Sequence, residues 1–509
     1  MGNSALRALV GSKYTFWVFY MLVLVLYPMV AYQSYGYDDE FFNINLIQKF
    51  GFKTISFLQH YDVHPPLSYL INLVLIRLLG SWSLVRVSSG LLVSVTLIWA
   101  TENERRNIGN QYALVLLALM AFNPALLMWC TGIRWYAYFL PVLLFLVFQP
   151  NRSGYKAWLI LGAGITLLAY IGYIAFILAV PLLLFYWWSM PESPRVKLKQ
   201  LTYVVPVFLV LYAYQFYVFF MVHLRGKGKE LTFNVINNVR GYFVSQISNQ
   251  GVFPISVAAI ISILGFIGLA GCILKYIFGH PDDKKSRQII YVYILATSLL
   301  LVLGLGGKFR NLIVLIPFQI SLLMHFYGVL KTNKVYWASL IFVILANIWG
   351  CVNVVRHKGT TKNSWNMPIS ETISALEQLH HKDSSLLVFT HDPTLTFVLQ
   401  QRNIHVVSTY NDHKSPGFDP VSEIVFINTF RGSMSRRFYD SLMIEEKQIV
   451  CAGKQVFRLG YDPYFEWKNK LINDYPEYQI EVVICQNPRN VDKLLFWNEK
   501  IHEKKVWSR

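Results

Sequence analysis

The sequence predicts a polytopic α-helical membrane protein carrying a soluble α/β domain at its C-terminal end, and three observations predict it. Apolar runs of about 17 to 25 residues, long enough to cross the hydrocarbon core of a bilayer, recur up to residue 356. Only 15% of the 509 residues are charged while 54% are hydrophobic, with a mean hydropathy of +0.39, which leaves too little polar surface for a soluble chain of this size. After Lys358 acidic residues become frequent and short β-rich runs alternate with helical stretches.

The apolar runs lie near residues 14 to 33, 84 to 100, 111 to 129, 135 to 149, 156 to 170, 172 to 188, 201 to 221, 254 to 277, 289 to 304, 311 to 329 and 335 to 355, or about eleven spans. The first is longer than a signal-peptide core and follows only Arg7 and Lys13, so it reads as an uncleaved span. With a cytoplasmic N-terminus, the inside loops carry Arg105 and Arg106, then Arg152 and Lys156, then Arg195, Lys197 and Lys199, then Lys284, Lys285 and Arg287, then Lys331 and Lys334. Each inside loop is basic, as the positive-inside rule requires. Pro65 to Gly80 is the one segment that could break this parity. Counting it as a span would send Arg105 and Arg106 outside, so it is placed as a helix along the interface, started by Pro65 and Pro66 and carrying Ser68 and Asn72 as a polar strip. The odd span count puts the C-terminus outside.

The tail reads as strands at 385 to 389, 404 to 408 and 423 to 427, alternating with helices near 369 to 381, 393 to 402 and 434 to 446. The expected domains are therefore residues 1–356 in the membrane, with a first outer loop at 34–83, and an extracytoplasmic domain at 357–509. The +18 formal charge does not indicate nucleic acid, because the basic residues sit in short loops between spans. Five scattered cysteines (Cys130, Cys272, Cys351, Cys451 and Cys485) suggest neither a zinc site nor a disulfide framework. The N-x-S sequon Asn151-Arg152-Ser153 falls in an inside loop.

Ten Asp and Glu precede residue 357, and none lies inside an expected span. Glu102, Glu104, Glu192, Asp282 and Asp283 fall on the inside, leaving Asp38, Asp39, Glu40, Asp62 and Glu230 outside, four of them in one loop. Ion-coupled transporters keep ionisable groups at mid-membrane depth, so this distribution favours chemistry at the outer interface. Three adjacent carboxylates repel one another, which raises the pKa of at least one and makes it a better base near neutrality. A solvated turn ending the first span is the plain alternative. Asp62 and His64 follow just before Pro65, and a short helix near 43 to 50, ending at Gly51, would fold them back towards the carboxylates.

Asp38-Asp39-Glu40 after the first span, Asp62-Val63-His64-Pro65-Pro66-Leu67, Val85-Arg86-Val87 at the next span, Asn123-Pro124 followed by Gly132 to Tyr138 (GIRWYAY), and Gly307 to Pro317 (GKFRNLIVLIP) occur in that order. Together they resemble the GT-C fold glycosyltransferases related to protein O-mannosyltransferases, the aminoarabinose transferase of lipid A and bacterial core galacturonosyltransferases. The resemblance covers roughly residues 10 to 330. It implies that Asp39 is the catalytic base with Glu40 beside it, that the donor is a sugar on a polyprenyl phosphate, and that no cofactor is demanded. His64 stands where the aminoarabinose transferase has a lysine, and Asn43 where it has a tyrosine, so the sugar is left open.

A polyprenyl phosphate leaves as an anion and needs no proton, so one base is enough, unlike glycoside hydrolysis with its two carboxyls. Asp39 would take the acceptor hydroxyl's proton as that oxygen attacks the anomeric carbon with inversion. Cations must then meet the phosphate. Candidates are Arg86, Arg134, Lys308 and Arg310, with Asp38, Asp62, His64 and Tyr136 as further substrate contacts; Arg86 also suits a plain interfacial anchor and His64 a plain helix start. Asp39, Asp62 and His64 could make a partial site for a divalent cation, although nothing requires one. The 222 to 253 loop, with Arg225, Lys227, Lys229 and Arg240, suits either a solvated loop or an anionic-lipid contact. His325, deep in the tenth span, reads as a helix-packing hydrogen bonder. The expected partners are the lipid-linked donor, a glycolipid, glycan or protein acceptor and membrane lipids, with no nucleic acid. A lipid-linked glycan flippase and a glycan polymerase or ligase are the other classes. A bacterial inner membrane is favoured over endoplasmic reticulum by the lack of an outer sequon.

Overall fold

The computed structural model describes residues 13–33, 40, 43–44, 47–48, 50–55, 65–149, 153–218, 257–302, 313–355, 369–382, 386–390, 393–407, 423–429, 452–459 and 480–486. The chain divides into two compact units, Met1–Ser34 with Lys49–Arg356, and Tyr35–Gln48 with His357–Arg509.

The first unit is helical: α1 (Lys13–Gln33), α2 (Leu67–Leu79), α3 (Trp82–Asn107), α4 (Asn110–Ala121), α5 (Pro124–Trp129), α6 (Tyr136–Phe148), α7 (Gly154–Ile171), α8 (Ala175–Ser189), α9 (Pro194–Val218), α10 (Val257–Gly279), α11 (Lys284–Val302), α12 (Ile316–Leu330) and α13 (Lys334–Val355). Among the described residues, seven helical segments are long and apolar enough to cross a membrane, within α1, α3, α7, α10, α11, α12 with its preceding turn, and α13. The protein is a multi-pass integral membrane protein. Shorter apolar helices (α2, α4, α6, α8 and Phe208–Val218 of α9) fill in between.

The expected span at 111 to 129 is two helices. Asn123 Oδ1 accepts from Ala125 N at 3.0 Å and Leu126 N at 3.2 Å, and Pro124 opens α5, so a capped new start interrupts the run.

Helix α1 runs antiparallel to α3. Tyr20 Oη donates to Glu102 Oε2 at 3.2 Å and Ser94 Oγ donates to Val23 O at 2.9 Å. Gly90 abuts Tyr27, where an added Cβ would lie 2.9 Å from the Tyr27 carbonyl oxygen. Rising numbers on α1 thus meet falling numbers on α3. The segment between them starts and ends on one side, and α2 makes no net crossing: 13 residues rise only about 20 Å. The polar strip on α2 does not face the interface, however. Ser68 and Asn72 are both buried, while Val74, Leu78 and Leu79 are exposed, because lipid accepts apolar side chains more cheaply than polar ones.

The loop cations gather at one end of the unit. Asn103 Nδ2 donates to Phe148 O at 3.1 Å, joining the ends of α3 and α6, and Tyr186 Oη donates to Leu146 O at 3.0 Å, joining the ends of α6 and α8. Trp158 Nε1 donates to Gln200 Oε1 at 3.1 Å, joining the starts of α7 and α9. Tyr112 and Tyr327, with centroids 5.8 Å apart, bring the end of α12 to the start of α4. Ser286 Oγ lies 2.8 Å from His325 Nε2, which adds the start of α11 and gives His325 its helix-packing bond. Arg105, Lys156, Lys197 and Lys285 therefore share one end. At that end the buried Lys197 donates to Trp187 O at 2.6 Å and Met190 O at 2.7 Å, satisfying carbonyls left open where α8 stops. Asp283 Oδ2 accepts from Ser286 Oγ at 2.6 Å and its Oδ1 from Ser286 N at 3.1 Å; these bonds hold its carboxyl down to about 2.

In the second unit, α14 (Ile369–Lys382), β1 (Leu387–Thr390), α15 (Pro393–Gln401), β2 (His405–Val407), β3 (Glu423–Thr429), β4 (Gly453–Leu459) and β5 (Ile480–Gln486) form a mixed sheet in the order β2-β1-β3-β5-β4. β1 runs parallel to β2 and β3, and β5 antiparallel to β3 and β4. Val388, Val406, Val425 and Ile484 line one face against Ile373, Leu376, Leu395, Val398 and Leu399 of the helices. Three strands and two helices fall where the alternation predicts them. β4 and β5 were not foreseen, and the helix expected at 434 to 446 lies outside the described residues. One expectation is corrected: Cys485 is disulfide-bonded, while Cys130, Cys272 and Cys351 are free. Pairing between cysteines distant in sequence leaves no local spacing to read.

Candidate active site

The expected cations Arg86 and Arg134 are both carried into the first unit by helix starts. Arg86 occupies the first turn of α3 and is 6% exposed; Arg134 lies in the turn between α5 and α6 and is 2% exposed. The turn is held by backbone bonds from Ala137 N to Arg134 O at 3.1 Å and from Phe139 N to Trp135 O at 2.8 Å. Tyr136 is buried, its ring 3.9 Å from that of Trp135 and 6.1 Å from that of Trp129. The starts of α3 and α6 lie at the end opposite to the loop cations, since the ends of these two helices meet at the basic end. Two guanidinium groups, which never lose their charge in a protein, are therefore sunk at the end where positive charge is otherwise sparse among the described residues.

One turn along each helix from these arginines, a polar cluster joins three helices. Tyr138 Oη, one turn beyond Arg134, donates to Asn72 Oδ1 on α2 at 2.5 Å and lies 3.5 Å from Ser89 Oγ on α3. Ser89, one turn beyond Arg86, donates in turn to Val85 O at 3.1 Å. Sequence reading names Asn72 only as part of an interfacial strip and passes over Tyr138 and Ser89. The available signals were the second tyrosine of Gly132 to Tyr138 and the i,i+3 spacing of Arg86 and Ser89, which place polar groups on the faces of the two arginines.

Glu40 is the one member of the carboxylate group within the described residues, and it is fully buried in the second unit together with Asn43, Ile44 and Ile47. Asn43, Ile44, Ile47, Gln48 and Phe50 are helical, and Gly51, at φ +52°, opens a short 3-10 turn, as the short helix expected at 43 to 50 implies. Asp38, Asp39, Asp62, His64, Lys308 and Arg310 lie outside the described residues, as does the 222 to 253 loop. Among the described residues no three His, Cys, Asp or Glu side chains converge on a metal position.

No family model matches the chain, and no curated protein matches it. The solved structures that resemble it include two of ArnT from Cupriavidus metallidurans: one, bound to undecaprenyl phosphate, matches at 12% identity with a TM-score of 0.46 over 92% of this chain and 97% of that one. The other, in the apo state, matches at 11% identity with a TM-score of 0.49 over 93% and 98%. The likeness is one of chain course. It extends to no residue and no substrate.

Proposed function

We propose that this chain is an inverting glycosyltransferase that moves a sugar from a polyprenyl-phosphate donor to a hydroxyl acceptor, on a glycolipid, glycan or protein, at the outer membrane interface. The observation that carries the reading is the pair of buried arginines at the end of the helical unit opposite to its basic loops. By the positive-inside rule the basic end belongs in the cytoplasm, so the arginines belong at the outer surface, where a lipid phosphate rests. The disulfide at Cys485 agrees, because such bonds persist on the oxidising side of a membrane. A bacterial inner membrane is the setting that fits a chain without an outer sequon.

A guanidinium presents a planar fork of N–H donors that never loses its charge, and it suits a phosphate through short, charge-assisted hydrogen bonds. In the proposed step the acceptor oxygen forms a bond to the anomeric carbon as the bond from that carbon to the phosphate oxygen breaks. The acceptor proton passes to the Asp39 carboxylate, and the electron pair leaves on the polyprenyl phosphate. Arg86 and Arg134, with Lys308 and Arg310, stabilise the charge that develops there. Glu40 keeps its place beside the base, and Asp38, Asp62, His64 and Tyr136 are the proposed sugar and phosphate contacts. The displacement as written needs no cofactor.

The test is Asp39→Asn in purified full-length protein with radiolabelled donor. Release of polyprenyl phosphate should fall by about 10²-fold or more, the usual range for a positioned base, while donor binding persists. A lipid transporter would instead keep moving its cargo, and unchanged turnover would end the assignment of Asp39.

A further inference from the structure

The geometry points to Asn72 as a binding residue for an anionic oxygen of the lipid phosphate, with Tyr138 as the positioning residue that aims it; this rests on the polyprenyl-phosphate reading above. Asn72 has no exposed surface and sits on the inward face of α2 with Ser68, Tyr69 and Leu73. Its carbonyl oxygen accepts from the Tyr138 hydroxyl at 2.5 Å. Its Nδ2, with two N–H donors, is buried and has no hydrogen-bond partner among the described residues. A buried donor left unmade costs about 1–3 kcal/mol. Such a group is kept where a ligand completes it.

The chemistry of that ligand follows from what its neighbours have left to offer. Tyr138 spends its proton on Asn72, and Ser89 spends its own on Val85 O. Asn72 thus contributes only donors, and one turn away on the two flanking helices stand the buried cations Arg86 and Arg134. Donors and cations together select an oxygen that carries negative charge, as on a phosphate, over a hydroxyl that must also donate. The depth of the cluster, a turn inward from the helix starts, suits a phosphate tethered to a membrane chain better than a freely diffusing one.

The experiment uses full-length protein in detergent and three probes: undecaprenyl monophosphate, inorganic phosphate and undecaprenol. Asn72→Asp keeps the shape and the acceptor for Tyr138 but replaces the donors with a second carboxylate oxygen. It should weaken monophosphate binding at least about tenfold, as loss of a hydrogen bond to a charged group predicts, and leave undecaprenol binding unchanged. Tyr138→Phe keeps Asn72 but unlocks it, and should weaken monophosphate binding about fivefold, the measure of one neutral hydrogen bond. In turnover it should raise KM with kcat nearly constant. This second variant keeps the test sharp if the first does not fold. Wild-type affinity for the monophosphate in either folded variant overturns the assignment. Inorganic phosphate binding as tightly as the lipid overturns the lipid source. If the wild type binds no monophosphate, the glycosyl-transfer reading falls with it, whereas undiminished turnover by Asp39→Asn sinks the proposed base and leaves the Asn72 result standing on its own.

Discussion

Gly90 is the position where one methyl group should travel furthest. An added Cβ there would meet Tyr27 O at 2.9 Å, Tyr27 C at 3.0 Å and Pro28 N at 3.1 Å, all backbone atoms of α1 that cannot swing aside. Ordinary contact begins near 3.4 Å, so Gly90→Ala must part α1 and α3 by roughly half an ångström, at a cost of about 1–3 kcal/mol for overpacking. Arg86 stands one turn along the same helix, and an error of about 1 Å in a positioned group can cost about 10²-fold in rate. Half that displacement predicts a fall in turnover on the order of tenfold. The assay is the thermal midpoint of purified protein in detergent, read beside transfer from labelled donor. Gly271→Ala is the control, since a Cβ there meets nothing within 4 Å. It should match the wild type or exceed it slightly, because alanine favours a helix. Should Gly90→Ala match Gly271→Ala in both readouts, the close approach of α1 and α3 is not what positions Arg86.

Lys197→Met keeps the buried stem and removes the donor to Trp187 O and Met190 O; it should cost about 1–3 kcal/mol and speed amide exchange selectively at the end of α8. Asp283 titrates near 2 in the folded protein against an ordinary 3.8. Because the folded value is the lower one, its contribution is complete above about pH 4 and fades as pH falls towards 2; Asp283→Asn should flatten the stability curve in that window and leave it parallel to wild type at neutrality. Mapping thiol labelling on the denatured protein by mass spectrometry should find Cys130, Cys272 and Cys351 modified before reduction and Cys485 only after it; Cys485 labelled before reduction would remove the disulfide.

Much of the membrane unit was legible because hydrophobic length and charge placement act locally. Eleven apolar runs fall on helices, and the parity argued from Arg105 and Arg106 is the parity that the Tyr20–Glu102 and Ser94–Val23 contacts impose. What escaped depends on distant partners. Asn123 and Pro124 break a run that hydropathy alone sees as continuous. Asn72 looks like a wetted residue on a short helix until Tyr138, 66 positions away, claims its carbonyl. β4 and β5 lack strong alternation, and they are strands because β3 offers β5 an antiparallel edge. Of the expected site, Arg86, Arg134 and Tyr136 are seen sunk at one end of the unit, whereas the carboxylates were read from their company in the chain.

The placement of β5 sets an order of events during synthesis. Among the described strands this one comes last in the chain, yet it lies between β3 and β4, so neither of those neighbours can complete its hydrogen bonding until residue 486 has been synthesised. A ribosome that stops short leaves two unpaired strand edges exposed, an invitation to aggregation or proteolysis. Tyr35–Gln48, made near the beginning, belongs to the same unit. That early segment must therefore wait for nearly the whole polypeptide before the unit it belongs to is complete.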